Sequence, residues 1–572
     1  MRRRDGEVEF DARQFRRRAR LLAGLLALTA IVLTGRSIQL QVFDQQFIAR
    51  QADMRHARTA KMVAHRGAIV DRFGEPLAVS SPVDTVWVDP SEFAEGSDGI
   101  ARLAGELKLN RQWLAQRVAS NLDREFLYVA RHLEPKQADE LRKLEIPGVY
   151  FQREYKRFYP NGEVTGHLLG FTSLDEDGLE GLEFAYDRSL AGIDGAKRVI
   201  QDGHGRVIQN VEVQRAPVQG EDLETSIDLR IQYLAYRELK SAIRTHRARA
   251  GTVIVLDIAT GEVLAMVNQP SFNPNDRTQR ELSRYRNRAV TDIFEPGSSI
   301  KPFVVAAALA SGRYGVNSTI DAVPVKVGAR TIRDHHELGI IDIGQVLALS
   351  SNVAMARIAL SLDRDQMHGT LRDLGFGKVT ESGFPGESAG LLSGTSSWKP
   401  INVATMAYGY GLSVTPLQLA QAYATIGAFG LHRPVTFRRV DAPPAGQRAL
   451  AAKVARDLMG LLEGVVTNTG GTGGKAAVPG YRVAGKTGTA WKAIPGGYSR
   501  DRYLAVFGGV VPATAPRLAV VVMVDEPQGA FYYGGDVAAP VFSRVTSGAL
   551  RLMSVAPDDL ARVTPVGAAV AP

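Results

Sequence analysis

The sequence predicts an α/β domain in which a helical insertion interrupts an antiparallel sheet, preceded by an elongated mixed α+β module and one N-terminal transmembrane helix. Two β-rich runs, 251–257 and 263–267, are joined by a turn signal at 259–261 and therefore predict a hairpin. The chain that follows is mostly helical in pattern, and further β-rich runs come only after it, at 481–484, 504–511 and 518–524. A single apolar run near the N-terminus predicts the transmembrane helix.

The composition is that of an ordinary globular protein. The chain has 572 residues, of which 45% are hydrophobic and 23% charged, and this balance excludes disorder and collagen-like repetition. Its net charge of +9 is lower than that of a dedicated nucleic-acid-binding protein, so we expect no nucleic-acid partner. The sequence contains no cysteine, which excludes disulfides, thiolate metal sites and cysteine nucleophiles.

Arginines stand directly before the apolar run 21–35, at Arg16, Arg17, Arg18 and Arg20. If Arg36 extends its charged head toward the lipid headgroups, the run continues to Leu40 and spans a hydrocarbon core of ~30 Å. We therefore expect a cytoplasmic tail at 1–20 and an uncleaved inner-membrane anchor at 21–42, with the rest of the chain on the periplasmic side. A cleaved signal peptide and a buried helix are the alternatives, but no small-x-small cleavage site closes the run.

The chain after the anchor divides into two parts that differ in their pattern of loop-like, β-like and helical runs. Residues 43–220 are loop-rich with short β-like and helical runs, which predicts an elongated module. Near Gly220 the texture changes, and Asp228 then has the position of an N-cap for an amphipathic helix. We therefore predict a second domain at 221–555 and a flexible C-terminal tail at 556–572, where Ala, Val and Pro dominate.

The first cluster of candidate functional residues is the segment Phe-Glu-Pro-Gly-Ser-Ser-Ile-Lys-Pro at 294–302, which leads into an apolar and hence buried helix at 303–310. Lys301 lies three residues after Ser298 and shares its helical face. Burial lowers the pKa of an amine, and a neutral lysine can take the proton of a serine hydroxyl. Ser298 is therefore a candidate nucleophile at a helix N-terminus, although Ser-x-x-Lys alone is a common sequence.

The second cluster is Ser350-Ser351-Asn352, which stands between two helical runs at 344–349 and 353–362. Helix capping is the simplest role for such residues, because Ser and Asn are favoured caps. The functional interpretation is that Ser350 relays a proton to the leaving group while Asn352 hydrogen bonds with Lys301 and the substrate backbone.

The third cluster is Lys486-Thr487-Gly488-Thr489, which follows a β-like run and so lies on or just after an edge of the sheet. A lysine and two hydroxyls can bind a carboxylate, and a strand edge beside them can bind an extended peptide by strand addition. Gly488 permits close approach of another backbone. Taken alone, the tetrapeptide would be an ordinary strand containing a glycine.

Together and in this order, the three clusters resemble those of penicillin-binding proteins and class A β-lactamases. The N-terminal half adds Asp53-Met54-Arg55, the run 65–72 and the block 157–160. Over nearly its whole length the chain resembles the class B penicillin-binding proteins, most closely the division-specific peptidoglycan D,D-transpeptidases of Gram-negative bacteria. The resemblance implies a pedestal (dimerisation-type) domain at 43–220 and, at 221–555, a transpeptidase domain with the penicillin-binding and serine β-lactamase-like fold.

Carried over position by position, the resemblance implies Ser298 as the acylated nucleophile and Lys301 as its general base. Ser350 and Asn352 would complete the proton network. The carboxylate of a donor peptide or of a β-lactam would be bound beside Gly488, by Lys486, Thr487 and Thr489. The backbone N–H groups of Ser298 and Thr489 would form the oxyanion hole.

The resemblance also implies an aromatic lining for the cleft. Aromatic residues near sheets lie in the core more often than they line a cleft, so both roles stay open for Tyr410, Tyr503, Tyr532 and Tyr533.

The implied reaction is the cross-linking of peptidoglycan stem peptides through a serine acyl-enzyme, with a D-Ala-D-Ala donor and an amine acceptor. It requires no metal and no other cofactor, and β-lactam antibiotics would acylate the same serine. The implied partners are a SEDS-family glycan polymerase and other divisome membrane proteins at the division septum. Arg66, Gly67 and Asp71 would contact them, although folding of the pedestal is the simpler role for each of these residues.

Three alternatives stay open, and a fourth, a bifunctional synthase, is not supported, so we expect a monofunctional enzyme. A β-lactamase shares two of the clusters but is usually a single domain, and a bifunctional synthase needs a Glu-Asp-x-x-Phe-x-x-His stretch that is not present before Gly220. An elongation-specific class B transpeptidase shares all three clusters, but the Asp53-Met54-Arg55 run and the block around Tyr159 favour division. A non-catalytic division scaffold would not need intact clusters.

Overall fold

A computed structural model of the chain describes residues 12–39, 57–94, 98–201, 207–276, 278 and 281–559. The first helix, α1 (Ala12–Ile38), contains the predicted apolar run, and its 24 residues Phe15–Ile38 are apolar enough to cross a membrane and are not buried in the protein. At ~1.5 Å per residue they span about 36 Å, which exceeds a hydrocarbon core of ~30 Å. No second helix in these ranges passes the same test. The first 11 residues of the predicted tail and the predicted end of the anchor at 40–42 lie outside the described residues.

The other helices and strands follow in chain order. The helices are α2 (Pro90–Ala94), α3 (Gly99–Glu106), α4 (Arg111–Ala119), α5 (Pro135–Arg142), α6 (Gly166–Leu169), α7 (Gly181–Ala185), α8 (Asp187–Leu190), α9 (Leu229–Thr245), α10 (Arg288–Thr291), α11 (Lys301–Ala310), α12 (Ile343–Ala348), α13 (Asn352–Ser361), α14 (Arg364–Asp373), α15 (Pro400–Met406), α16 (Pro416–Gly427), α17 (Ala452–Thr467), α18 (Gly534–Val537) and α19 (Ala539–Leu552). The strands are β1 (Ala57–Met62), β2 (Ile69–Val70), β3 (Pro76–Val88), β4 (Leu127–Leu133), β5 (Val149–Phe158), β6 (Gly195–Gln201), β7 (Val207–Arg215), β8 (Leu223–Glu224), β9 (Ala250–Asp257), β10 (Val263–Gln269), β11 (Thr319–Asp321), β12 (Val325–Val327), β13 (Arg330–Ile332), β14 (Ile340–Asp342), β15 (Leu431–His432), β16 (Gln447–Arg448), β17 (Ala484–Ile494), β18 (Gly497–Val511) and β19 (Leu518–Asp525).

The chain divides into two compact units, each assembled from separate segments. The smaller unit comprises Met1–Ala64, Asp84–Glu154 and Ile193–Val218, and the larger comprises His65–Val83, Tyr155–Gly192 and Gln219–Pro572. The chain therefore passes from one unit to the other several times. The predicted division near Gly220, with 43–220 before it and 221–555 after it, stays a prediction.

In the smaller unit, β1, β6 and β7 form an antiparallel sheet, and β4 pairs antiparallel with the second half of β3. The helices α2 to α5 close a core over that second pair, in which apolar residues of the strands meet those of the helices. Its fully buried members include Val86, Val88, Phe93, Leu103 and Leu114. This is the mixed α+β character that the sequence predicts.

The larger unit contains an antiparallel sheet with the strand order β10-β9-β19-β18-β17. Neighbouring residues of β9 face opposite sides of this sheet, because side chains alternate along a strand. Val253 and Val255 belong to the core shared with α9 and α19, whereas Ile254 and Leu256 belong to the core shared with α11 and α16. The strands are therefore buried on both faces and read as continuous apolar runs in the sequence.

The helices α10 to α17 are inserted between β10 and β17, so the predicted helical insertion and the predicted β9–β10 hairpin are both confirmed. The predicted strand at 481–484 is wrong in position, since β17 begins only at Ala484. Tyr481 closes a turn with Val478, and its hydroxyl donates to the carbonyl of Val555, which keeps it out of the sheet. The third cluster therefore lies within β17, and β17 is the edge strand.

Three charged side chains are buried together in the larger unit. Glu183 accepts hydrogen bonds from Nε of Arg66 at 2.8 Å and from Nε of Arg157 at 2.6 Å, and each of the three is at most 3% exposed. Next to Arg66, a Cβ on Gly67 would lie 2.1 Å from the carbonyl oxygen of Glu221, so only glycine fits there. The contacts of Arg66 and Gly67 therefore support the role in folding that the sequence suggests for them.

The described chain ends with a few residues of the predicted C-terminal tail. Asp558 accepts hydrogen bonds from the backbone N–H of Arg482 and from the hydroxyl of Thr514, and the N–H of Asp559 donates to Gly480. These contacts hold residues 558 and 559 against the start of β17. The rest of the tail, from residue 560 onward, lies outside the described residues.

Candidate active site

Ser298 lies in a 3₁₀ turn, Gly297–Ile300, that runs directly into the buried helix α11. The backbone carbonyl of Ser299 accepts a hydrogen bond from the hydroxyl of Tyr423 at 3.2 Å, and the Ser299 hydroxyl donates to the carbonyl of Pro296 at 2.7 Å. Tyr423 and Ser299 are fully buried, whereas Ser298 is only half-buried. The turn is thus fixed from below while the predicted nucleophile stays accessible.

Lys301 is fully buried at the start of α11, and its Nζ is held by the second cluster. Its Nζ donates to the carbonyl of Ser350 at 2.6 Å, to the Ser350 hydroxyl at 3.1 Å and to Oδ1 of Asn352 at 2.8 Å. To present both oxygens, Ser350 takes a left-handed backbone conformation with φ of +60°, which costs about 1–3 kcal/mol for a residue other than glycine. The structure thus brings the first two clusters together, as the sequence predicts.

The environment of Lys301 favours its neutral form. Burial, the largest cause, and the positive charge of Lys486 lower the pKa of Lys301 well below its ordinary value, whereas the carboxylate of Asp334 raises it. Among the described residues, Ser298 Oγ makes no hydrogen bond with Lys301. Catalytic hydrogen bonds are often long before substrate binds and tighten only in the complex, so proton transfer from Ser298 to Lys301 is compatible with this arrangement.

The third cluster lies on β17, which packs against the nucleophile turn. A Cβ on Gly488 would lie 2.9 Å from the carbonyl oxygen of Pro296 and 3.1 Å from Cβ of Ser299, so any side chain there would separate strand and turn. The hydroxyl of Thr489 accepts a hydrogen bond from the N–H of Gly534 at 3.0 Å. Gly488 is thus one point at which the third cluster meets the first, and Gly297, whose Cβ would lie 3.0 Å from the carbonyl oxygen of Thr489, is another.

Lys486 is fully buried, and its Nζ bonds neutral oxygens. They are the carbonyl of Thr487 at 3.1 Å, the hydroxyl of Thr487 at 3.0 Å and the hydroxyl of Thr472 at 3.4 Å. Burial without a carboxylate partner lowers the pKa of Lys486 to about 7. A carboxylate bound beside this lysine would therefore stabilise its charged form.

Two further residues belong to this site that the sequence does not predict, Thr472 and Asp334. The Thr487 hydroxyl donates to the Thr472 hydroxyl at 2.8 Å, and the N–H of Thr472 donates to the carbonyl of Ala348 at the end of α12. Asp334 accepts hydrogen bonds from Ser351 and Asn352 in the second cluster. Both residues lie in loops without a local pattern, so no signal in the sequence singles them out.

The predicted aromatic residues lie around β17. Tyr503 and Tyr532 stack with ring centroids 4.1 Å apart, and Tyr533 follows at 4.4 Å from Tyr532, directly before the glycine that bonds Thr489. The Tyr410 hydroxyl accepts a hydrogen bond from the N–H of Trp491 at 3.3 Å. None of these tyrosines is fully buried, so they lie outside the core. We refer to the four residues together as the tyrosine rim.

This arrangement suits acyl transfer. It combines an accessible hydroxyl, a buried amine with a lowered pKa, a relay serine, and a lysine with neighbouring hydroxyls that can hold a carboxylate. No group of three or more metal-ligating side chains occurs in the part of the chain that the structure describes.

Known proteins show the same organisation. Residues 251–547 match the penicillin-binding protein transpeptidase domain, and residues 61–225 match the penicillin-binding protein dimerisation domain. The peptidoglycan D,D-transpeptidase FtsI of Escherichia coli (strain K12) is 41% identical over 545 residues, which cover 94% of this chain and 92% of FtsI.

Two solved structures are similar as well. Penicillin-binding protein 3 of Mycobacterium tuberculosis, in complex with aztreonam, matches with a TM-score of 0.69 and 27% identity over 87% of this chain and 98% of that chain. The transpeptidase domain of Burkholderia pseudomallei penicillin-binding protein 3 matches with a TM-score of 0.54 and 40% identity over 58% of this chain and 97% of that domain. With both domains matched in order and the relatives covered almost from end to end, the chain belongs to the class B penicillin-binding proteins.

Proposed function

We propose that the protein is a peptidoglycan D,D-transpeptidase that cross-links stem peptides through an acyl-enzyme on Ser298. The observation that carries this proposal is the fully buried Lys301, which lies one turn after Ser298 and is held by Ser350 and Asn352. A buried amine with a lowered pKa beside an accessible serine is the arrangement that activates a hydroxyl for attack. The E. coli relative carries the name of this activity.

In the acylation step, the hydroxyl oxygen of Ser298 attacks the carbonyl carbon of the D-Ala-D-Ala amide while Lys301 takes the hydroxyl proton. Ser350, which accepts a hydrogen bond from Lys301, passes a proton to the leaving nitrogen. The C–N bond breaks, the last D-Ala leaves as a free amine, and an ester to Ser298 remains. An amine of a second stem peptide then attacks the ester, gives up a proton and restores Ser298.

The third cluster binds the donor peptide. Lys486 in its charged form, with the hydroxyls of Thr487 and Thr489, holds the terminal carboxylate, and the exposed edge of β17 pairs with the peptide backbone. The N–H groups of Ser298 and Thr489 receive the oxyanion of the tetrahedral intermediate. A β-lactam, which carries a carboxylate beside a strained amide, enters the same pocket and acylates Ser298.

The cellular setting of the proposal follows from the anchor and from the relatives. The protein is held in the inner membrane by α1, with its N-terminus cytoplasmic and the transpeptidase domain, residues 221–555, periplasmic at the division septum. The pedestal domain, residues 43–220, contacts a SEDS-family glycan polymerase and other divisome proteins. The tyrosine rim of Tyr410, Tyr503, Tyr532 and Tyr533 lines the cleft.

The test is covalent labelling of the full-length protein in detergent with a fluorescent penicillin, followed over hours by gel and intact mass. We expect stable one-to-one labelling of the wild type and none of Ser298→Ala. Ser397→Ala is the matched control, because Ser397 is an exposed serine of another 3₁₀ turn, Thr395–Ser397, and its hydroxyl donates to the carbonyl of Gly394.

Each other result points elsewhere. Rapid loss of label would indicate a β-lactamase, and a folded wild type without label would indicate a scaffold. The septal role is tested by replacing the chromosomal gene with Ser298→Ala, which should produce filaments with stalled septa. Normal septation in that strain would refute the catalytic role in division.

A further inference from the structure

The loop between β13 and β14 places a carboxylate against the second cluster. Asp334 Oδ2 accepts a hydrogen bond from the Ser351 hydroxyl at 2.5 Å. Its Oδ1 accepts from the backbone N–H of Asn352 at 2.5 Å and of Val353 at 3.2 Å. One half-buried side chain thus bonds three consecutive residues that directly follow Ser350.

These bonds complete the N-terminus of α13. The first N–H groups of a helix have no partner within the helix, and a side chain must supply one. Ser351, the N-cap, accepts from the N–H of Ala354 at 3.0 Å, while Asp334 satisfies the two N–H groups before it. The start of α13 therefore depends on a residue that is distant in sequence.

The same contacts set the geometry at Lys301. Ser350 is in the left-handed conformation, which a serine does not hold without support. Asn352, whose N–H is bonded to Asp334, uses its side-chain oxygen to accept from Lys301 at 2.8 Å. The residues on both sides of Ser351 thus bond Lys301, and Asp334 holds the segment between them.

We propose that Asp334 is a positioning residue for acyl transfer, which fixes the Ser350–Asn352 loop around Lys301 and places a negative charge near its ammonium. This inference rests on the proposed function. Asp334 touches neither Ser298 nor Lys301 through a hydrogen bond, so it acts through the loop and through its field.

The negative charge of Asp334 raises the pKa of Lys301. Lys486 on β17 and Asp334 are the charged groups that act on Lys301, and burial acts together with Lys486 to lower its pKa while Asp334 raises it. A variant without the carboxylate leaves both lowering effects in place, so the pKa of Lys301 falls further. Since the general base must be neutral, the acid limb of the acylation rate then moves to lower pH.

The experiment measures the second-order rate constant of acylation by fluorescent penicillin across pH for the full-length protein and two variants. Asp334→Asn keeps an oxygen for the N–H groups but removes the charge, and we expect an acid limb at lower pH with a loss of less than about tenfold at neutral pH. Asp334→Ala removes the hydrogen bonds as well, and we expect a loss of about tenfold to a hundredfold, as for hydrogen bonds to a charged group.

The matched control is Asp363→Asn. Asp363 also caps a helix of this region, α14, by accepting from the N–H of Gln366 at 2.9 Å, but it has no contact with the loop. We expect this variant to keep the wild-type pH profile, and thermal unfolding of all variants reports whether they fold.

The outcomes separate this inference from the proposed function. An acid limb in Asp334→Asn at the wild-type position would show that Asp334 is only a helix cap and would overturn the inference alone, even if the rate fell. The wild-type rate in Asp334→Ala would overturn it too. A folded wild type that takes no label would overturn the proposed function, and the inference with it.

Discussion

The charge state of Lys486 sets the alkaline side of the reaction. Its Nζ is fully buried and bonded to neutral oxygens of Thr472 and Thr487, and burial lowers its pKa to about 7. Below that pH the lysine is charged and can hold a carboxylate, and above it the lysine becomes neutral. We therefore expect the efficiency of acylation to fall as pH rises above 7.

The magnitude follows from the loss of one proton. Each pH unit above the pKa lowers the charged fraction of Lys486 tenfold, which corresponds to about 1.4 kcal/mol of binding free energy. From pH 7, where about half of Lys486 is charged, to pH 9, where about 1% is, the second-order rate constant of acylation should fall by up to about fiftyfold. This constant reports the free protein, so the carboxylate of the antibiotic does not shift the limb.

The assay is fluorescent-penicillin labelling at several concentrations between pH 6 and pH 9.5, with Lys486→Arg beside the wild type. A guanidinium keeps its charge over this range but has a different shape, so the variant should be slower than the wild type at pH 7 and lack the alkaline limb. A wild-type rate that stays level from pH 7 to pH 9 would refute the role given to Lys486. The same alkaline fall in Lys486→Arg would refute it as well.

Two further predictions concern the buried charges of Arg66, Arg157 and Glu183 and the tyrosine rim. Glu183→Gln leaves the buried Arg157 without its counter-charge and leaves Arg66 with Asp187 alone, so the free energy of unfolding should fall by about 3–5 kcal/mol, measured as a lower thermal midpoint of the full-length protein. Tyr532→Ala removes the ring that stacks on Tyr503, so antibiotic binding before acylation should weaken by about twofold to tenfold while the thermal midpoint stays unchanged.

Matched variants control both predictions. Glu281→Gln removes an exposed ion pair with Arg284 and should leave the thermal midpoint unchanged. A midpoint equal to that of the wild type in Glu183→Gln would contradict the buried-charge argument. Tyr532→Phe keeps the ring and should bind as the wild type does, and equal binding by the alanine variant would show that the rim does not contact the ligand.

The sequence predicts the parts of the fold that local patterns determine. The central strands appear in the sequence as long apolar runs because both of their faces are buried. The Ala259-Thr260-Gly261 turn predicts the β9–β10 hairpin. The sequence predicts Asp228 as an N-cap, and its side chain accepts from the N–H groups of Arg230 and Ile231. The start of β17 was not predictable, because Tyr481 looks like a strand residue until its contact with Val555 is known.

The same division holds for the candidate site. Ser298 and Lys301 are three residues apart on a predicted helix, so their proximity is a local property. Asp334 and Thr472 enter only through tertiary contacts, since each is a single polar residue in a loop whose path is set by the packing of the surrounding helices. The assembly of each unit from separate segments could not be predicted for a similar reason. Periodicity shows which face of an element is buried, but not which element it packs against.

The absence of a side chain at Gly488 has an evolutionary consequence. The hydrogen atom at this position sets the spacing between β17 and the turn that carries Ser298, and any larger group would widen the cleft by pushing against the backbone of Pro296. Natural substrate and antibiotic would share that spacing, so a substitution there would penalise both. Variants selected for drug resistance should therefore leave Gly488 intact.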